Sequence, residues 1–159
     1  MAEYPALDRI DRAILDVLQR DGRLTNALLA EAVHLSPSAC LTRVKRLEKS
    51  GIITGYKAQI DPSKIGPHIM IYAHCTLSKH NAPTSRRFEA LIKEIPEVME
   101  AFYTSGQLDY ILRLIVSDIS EWTNLAEELM DREDLHIDTI VTHVIMKTAK
   151  PYSGIPVLT

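Results

Sequence analysis

No apolar run in the chain reaches the length of about 18 residues that a membrane-crossing helix needs, so no span is expected. The N-terminus has no basic stretch leading into an apolar one, and no signal peptide is expected either. Cysteine is scarce: Cys40 and Cys75 are the only two in 159 residues. They lack the spacing of a zinc site or a redox pair, and both fall at apolar-facing positions. They therefore read as small, reduced core residues, and a cytoplasmic protein is the expectation. Catalytic constellations are missing as well. There is no nucleophile–base pair, phosphate loop or carboxylate pair at catalytic spacing. The six histidines (His34, His68, His74, His80, His136 and His143) are scattered. His68 and His74 share a strand face but stand about 20 Å apart at roughly 3.3 Å per residue, too far for shared metal ligation. Neither an enzyme nor a metal or organic cofactor is expected.

Apolar residues are plentiful, at 46% of the chain, which supports real cores in one domain or two small ones. The net charge of −3 hides an asymmetry. Residues 1–60 carry nine Lys/Arg against seven Asp/Glu, and residues 61–159 carry nine against fourteen. Within 36–57 the balance is five basic to one acidic. A chain with pI near 6.1 is no general nucleic-acid condenser. Its basic character is local, as in a small DNA-reading module attached to an acidic domain with another task. A weakly basic monomer binds DNA poorly. Dimerisation, which sets two reading helices about one DNA turn apart, is the natural remedy.

The stretch Ser36–Lys49 is written for a helix. Ser36 is a good N-cap, and Pro37 falls at the first helical position, where a missing N–H costs nothing. At about 100° per residue, Ser38, Thr42, Lys45, Arg46 and Lys49 share one face, and Cys40, Val44 and Leu47 the other. Cations neutralise phosphates, and short polar side chains near a helix start reach base edges. A solvated amphipathic helix would show the same stripe. The preceding segment favours the DNA reading. Ile10, Ile14, Leu15 and Leu18 mark a helix over residues 8–20, Asp21-Gly22-Arg23 breaks it, and Thr25 caps a second helix with Leu28, Leu29, Ala32 and Val33. His34-Leu35 makes the turn before Ser36, and Gly51 closes the third helix. Three short helices, the last one basic, make a helix-turn-helix. Ile53 to Ile60 has β character and ends at the turn signal Asp61-Pro62.

The second half reads as β-α-β-β-α-β. Residues 68–77 alternate as a strand; Phe88, Leu91, Ile92 and Ile95 mark a helix; residues 98–104 and 110–116 are strands around the turn 105–109. Trp122, Leu125, Ala126, Leu129 and Met130 mark a helix capped by Asp118 or Ser120, and 137–146 is the last strand. The fold class is α+β: a winged-helix-like helix-turn-helix followed by a ferredoxin-like sandwich with helices on one sheet face. The other face carries Met70, Tyr72 and one set from the last strand, which invites a second copy.

These stretches resemble the leucine-responsive regulatory protein (Lrp)/AsnC family of feast/famine transcription regulators. The resemblance rests on LDRIDRAILDVLQRDGRLTN, LSPSACLTRVKRLEKSGIITGY and SGQLDYILRL, and it spans nearly all of residues 7–150. It implies a helix-turn-helix domain at 1–52, a hinge strand and linker at 53–66, and a small-molecule-sensing and oligomerising sandwich at 67–159. It also implies homodimers built through the sheets, often assembled to octamers, that bind promoter DNA. The sequence departs from the family in two places. Leu28 stands where a Glu often completes a capping box. The loop 131–137 is acidic and about one residue longer than usual.

For DNA contacts the sequence points first to Ser36, Ser38, Thr42, Arg46 and Lys49, then to Arg43 and Lys45. For Ser36 two readings stay open: a helix cap alone, or a phosphate contact. Arg43 points about 120° from the centre of the stripe and either braces the domain or reaches a flanking phosphate. The resemblance places a small amino-acid effector between dimers, near Ser105, Gly106, Gln107 and Asp109. Gly106 would let backbone N–H groups hold an α-carboxylate, and Asp109 would pair with the α-ammonium. Tyr103, Ile119, His143, Val144 and Ile145 would line or flank the pocket. Ordinary packing for Tyr103 and Ile119, and a plain sheet-face role for His143, remain open alternatives. Apolar neighbours favour a neutral side chain on the effector. An architectural DNA organiser without effector is the alternative function.

Overall fold

The computed structural model describes residues 6–157. They form two compact units. One runs to Gln59 and takes in the tail from Lys150, and the other is Ile60–Ala149.

Three helices build the first unit. Helix α1 (Arg9–Arg20) opens with a reciprocal cap: Asp8 accepts the Asp11 N–H at 2.8 Å, and Asp11 accepts the Asp8 N–H at 3.1 Å. Helix α2 (Asn26–Ala32) is capped by Thr25, whose hydroxyl accepts the Leu28 N–H at 3.3 Å. Leu28 has no side-chain acceptor to return that bond. Helix α3 (Pro37–Lys49) starts where expected, with the Ser36 hydroxyl accepting the Ala39 N–H at 3.3 Å. It ends at Gly51, which takes a left-handed φ of 72°. There the Gly51 N–H donates to the Glu48 carbonyl and the Ile52 N–H to the Leu47 carbonyl, both at 3.0 Å. The core between the helices is Ile14, Leu29, Ala30, Val33, Cys40 and Leu47.

One sequence expectation fails in this unit. Residues 53–60 form no strand. A strand needs a facing partner for its N–H and C=O groups, and all four strands among the described residues belong to the other unit. What fastens the segment is Tyr56, whose hydroxyl donates to Glu48 at 3.0 Å. Its ring lies over the α1–α2 turn, so close that a Cβ on Gly22 would sit 3.2 Å from it. The tail from Lys150, which the sequence reading counts with 67–159, packs with the first unit. The amide of Gln19 explains this. It accepts the Ile155 N–H at 2.7 Å and donates to the Ile155 carbonyl at 3.1 Å.

The second unit is a four-stranded antiparallel sheet in the order β2-β3-β1-β4. Its elements are β1 (Ile69–Leu77), α4 (Ala82–Ile92), β2 (Val98–Tyr103), β3 (Tyr110–Val116), α5 (Ile119–Met130) and β4 (Ile137–Val144). This is the β-α-β-β-α-β order expected. Strand β4 stops two residues before the expected Met146. Asp118 is the cap of α5, accepting from the Ser120 and Glu121 N–H groups. Alternation along the strands sends Ile71, Ala73, Cys75 and Leu77 of β1, and Tyr110, Leu112, Leu114 and Val116 of β3, into one core. Phe88, Ile92, Trp122 and Leu129 of the two helices complete it. Burial pushes the Cys75 thiol up to about 12 and the Cys40 thiol up as well, as inert core cysteines require. The register leaves Met70, Tyr72, His74, Ile111, Arg113, Ile115, Val141 and His143 on the other face.

Gly51 has open space around it, so the cost of a side chain there is purely that of the left-handed backbone. Gly51→Ala is expected to lower the stability of the protein by about 1 kcal/mol. The shift of the urea midpoint, followed by helical circular dichroism, measures it.

Candidate DNA-reading helix and effector loop

Helix α3 separates its cations into two groups. Lys45 and Lys49 are exposed, and neither has a carboxylate in ion-pair reach among the described residues. Arg43 and Arg46 turn back to α1. The Arg43 guanidinium donates to Asp8 at 2.6 Å and to Asp11 at 2.9 Å, and that of Arg46 donates to the other oxygen of Asp11. The Asp11 side chain is only 1% exposed. A buried carboxylate is costly unless paired and hydrogen-bonded; here two arginines and the Asp8 N–H satisfy it. Arg43 therefore braces the domain, one of its two expected roles. Arg46 shares its guanidinium with Asp11, yet its side chain stays 56% exposed at the helix surface.

The hydroxyls are also partly used. Ser36 caps the helix, and its hydroxyl lies 3.3 Å from that of Ser38. Thr42 donates to the Ser38 carbonyl at 3.0 Å, so its lone pairs are free while its proton is not. Ser38 and Thr42 are both exposed. Asn26, which the sequence reading passed over, donates to the Pro37 carbonyl at 2.7 Å and fixes the start of α3 against α2. An Asn at the first position of a helix gives no local signal of a bond eleven residues on.

In the second unit the 105–109 loop is pinned at both ends. The Thr104 N–H donates to the Asp109 carbonyl at 2.8 Å, and its hydroxyl to the Leu108 carbonyl at 2.6 Å. Between them, the backbone N–H groups of Ser105, Gly106 and Gln107 have no protein acceptor among the described residues. Gly106 has φ 115°, with open space around it. Such a run of free N–H groups suits a carboxylate.

Asp109 is more constrained than its sequence role implied. One carboxylate oxygen accepts the Leu77 N–H at 2.7 Å, and the other lies 3.0 Å from His80 Nδ1. The side chain is 13% exposed. It holds the end of β1, so an α-ammonium must share it with His80. His80 was only one of six scattered histidines in the sequence, because nothing local ties it to a residue 29 positions away.

Tyr103 packs its ring 5.2 Å from Tyr110, which in turn packs 4.5 Å from Phe88. It is nonetheless 71% exposed, at the rim of a cleft of about 460 Å³ between α4 and β2. Inside that cleft the Tyr110 hydroxyl donates to Glu89 at 3.0 Å, and burial pushes its pKa up to about 12. The remaining effector candidates lie elsewhere. Ile119 opens α5, beyond the far end of β3. Val144 faces Ile71, and the Ile145 N–H donates to the Met70 carbonyl, also at that far end. The length of β3 separates these residues from the loop by about 20 Å. His143 faces Tyr72 on the open sheet face, beside His74.

Residues 7–54 match the winged helix-turn-helix DNA-binding family, and residues 70–155 match the Lrp/AsnC ligand-binding domain. The chain belongs to the Lrp/AsnC family. It is thus a DNA-binding transcription regulator and not an enzyme. The transcriptional regulatory protein DoeX of Halomonas elongata is 39% identical over 144 residues, covering 91% of this chain and 90% of DoeX. The leucine-responsive regulatory protein of Escherichia coli K12 is 38% identical over 144 residues, covering 91% and 87%. Among solved structures, an AsnC family regulator from Agrobacterium tumefaciens aligns with a TM-score of 0.86 at 31% identity, covering 94% of this chain and 97% of that one. A regulator from Neisseria meningitidis in complex with L-Met aligns with a TM-score of 0.88 at 31% identity, covering 95% and 97%. The Lrp/AsnC assignment thus spans both units. No helix among the described residues is long and apolar enough to cross a membrane, and none of them form a cluster of three or more metal-ligating side chains.

Two predictions follow from the pairing of α1 with α3. Arg43→Ala strips Asp11 of one of its two guanidinium partners and is expected to lower the midpoint of denaturant unfolding. The Asp8 carboxyl is lowered from 3.8 to about 2, chiefly by the Asp11 N–H and then by Arg43. A carboxyl depressed on folding contributes stability above its unfolded value, and that contribution is lost as pH falls through the folded one. Stability should therefore decline between about pH 4 and pH 2, and Asp8→Asn should flatten that decline. Unfolding midpoints measured across the interval test it.

Proposed function

We propose that this regulator reads promoter DNA with the exposed face of α3 and responds to a small amino acid with a neutral side chain held at the 105–109 loop. The observation that carries the DNA reading is the division of cations on α3. Lys45 and Lys49 stand unpaired among the described residues, Arg46 extends beside them, and the carboxylates that hold Arg43 and Arg46 belong to α1. Ser38 and Thr42 offer acceptors on the same surface, while Ser36 and Arg43 serve the fold first. The free N–H groups around Gly106 support the effector reading, with Asp109 and His80 behind them. The resemblance adds Tyr103, Gln107, Ile119, His143, Val144 and Ile145, which come from two ends of the sheet. A site drawing on both groups uses more than one copy. The apolar open face, with Met70, Phe102, Ile111, Ile115 and Val141, fits a homodimer by sheet-to-sheet contact, and octamers are a further step of assembly. A cytoplasmic location agrees with the reduced, buried cysteines.

Binding to its own promoter region, measured by fluorescence anisotropy at several salt concentrations, tests the first part. Lys45→Ala and Lys49→Ala are each expected to weaken binding and to reduce the slope of log K against log salt by about 1, with thermal stability unchanged. An unaltered slope in both removes α3 as the reader. A thermal-shift screen against the twenty amino acids tests the second part. A true effector at a hundredfold excess over its Kd adds about 2.7 kcal/mol of stability. Gly106→Val, strained at this φ, should abolish the shift while sparing DNA binding. DNA binding with no shift from any of the twenty favours an architectural organiser.

A further inference from the structure

Helix α3 exposes one large apolar side chain, Leu41, on the flank of its basic stripe. Leu41 is 42% exposed, although Cys40 beside it is fully buried. It is not among the residues that pack into the core of the first unit. On ideal helix geometry Leu41 neighbours Ser38 one turn before it and Lys45 one turn after it, and stands about 140° around the axis from Arg46. Ser38, Thr42 and Lys45 are all exposed. The ion pairs of Arg43 and Arg46 with α1 hold this rotation. Glu48, two turns further along the same flank, repels phosphates. That limits the flank's contact with DNA to the N-terminal half of α3, where Leu41 sits.

We propose that Leu41 selects A·T base pairs by packing on the C5 methyl group of thymine in the major groove. The inference rests on the reading of DNA by α3 and deepens it. A duplex that covers Ser38 and Lys45 also covers Leu41, which lies between them. A leucine pressed on a base-edge donor or acceptor removes its water and returns no hydrogen bond, which is costly. The thymine methyl is the apolar feature of the major groove, and contact with it buries area on both partners without that penalty. The polar groups of the stripe discriminate less. Hydroxyls such as those of Ser38 and Thr42 bond to any base, and lysines act chiefly as point charges. Helix α3 carries no Asn or Gln for the bidentate bond to adenine. Leu41 thus supplies an A·T preference that the rest of this face lacks.

The test compares the protein's own promoter region with the same fragment made with deoxyuridine in place of every thymidine. That exchange removes the methyl groups and keeps the base pairing. Fluorescence anisotropy at fixed salt gives the two affinities of the full-length protein. The wild-type chain is expected to bind the deoxyuridine fragment more weakly, by about fourfold for each methyl contacted. Leu41→Ala should lose most of that ratio, and Leu41→Met, which keeps an apolar reach, should retain it. Any effect of deoxyuridine on duplex shape is common to all three proteins and cancels between them. Circular dichroism checks the fold of each variant, and Leu41→Gln, polar at a similar length, is read instead if Leu41→Ala is not folded. A wild-type chain that binds both fragments alike, or a ratio unchanged in the Leu41→Ala variant, overturns the proposal. Lys45→Ala separates this failure from that of the DNA reading. It should reduce the salt slope on both fragments and leave their ratio unchanged. A reduced slope with no ratio in the wild-type chain removes the methyl contact alone, whereas an unaltered slope removes α3 as the reader and the proposal with it.

Discussion

The buried carboxylate of Asp11 governs the first unit. It sits on α1 with almost no exposure, and it is satisfied by the two arginines of α3 and by the amide that begins its own helix. Removing either arginine leaves a charge in a poor solvent, which is why such a pair constrains structure more than it stabilises it. The constraint is directional. Arg43 and Arg46 lie three residues apart on α3, so engaging both from one point fixes the rotation of that helix about its axis. Once rotation is fixed, Cys40 and Leu47 face the core, and Lys45 and Lys49 face outward. The outward face of α3 is therefore set by its ion pairs with α1.

This arrangement carries a trade-off. A helix that reads phosphates gains from every cation it exposes, yet this one commits Arg43 largely to the interior. Arg46 occupies the middle ground, tethered at one nitrogen and exposed along the rest of its side chain. A tethered guanidinium loses less rotamer freedom on meeting an anion than a free one, and its planar fork retains further N–H donors. The lysines keep full freedom and act as point charges. The same turn of helix thus offers one preorganised cation between two mobile ones.

Local signals in the sequence were sufficient for the elements. Ser36 with Pro37 gave the start of α3, Gly51 its end, and the alternation from Ile69 to Leu77 the first strand, because each depends on neighbours within a few positions. What escaped is long-range. Residues 53–60 have strand propensity, but propensity does not supply a partner strand, and Tyr56 anchors them to α3 instead. The Gln19–Ile155 bonds join positions 136 apart, so no local signal shows that the tail meets α1. In the candidate sites, the turn at 105–109 was legible from its glycine and polar residues, and its effector role came only from the resemblance to the family. The engagement of Asp109 with Leu77 and His80 was not, nor was the meeting of His74 with His143, which depends on strand register alone. Arg43 was half legible: helix geometry showed that it pointed off the basic stripe, though not toward which acid.

The sheet imposes a limit on how one chain can hold an effector. Strand β3 begins beside the 105–109 loop and ends beside the start of α5, so the two groups of candidate residues stand a strand's length apart. A single amino acid does not span that distance. The loop of one copy can meet Ile119, Val144 and Ile145 only if they come from another. A site completed in that way exists only when copies adjoin, so the ligand's binding free energy is available only to the assembled form. By linkage, the ligand must then favour assembly by the same factor by which assembly favours the ligand. On the proposed reading, coupling between effector and assembly needs no moving part, because antiparallel strands place the two groups of candidate residues at opposite ends of one sheet.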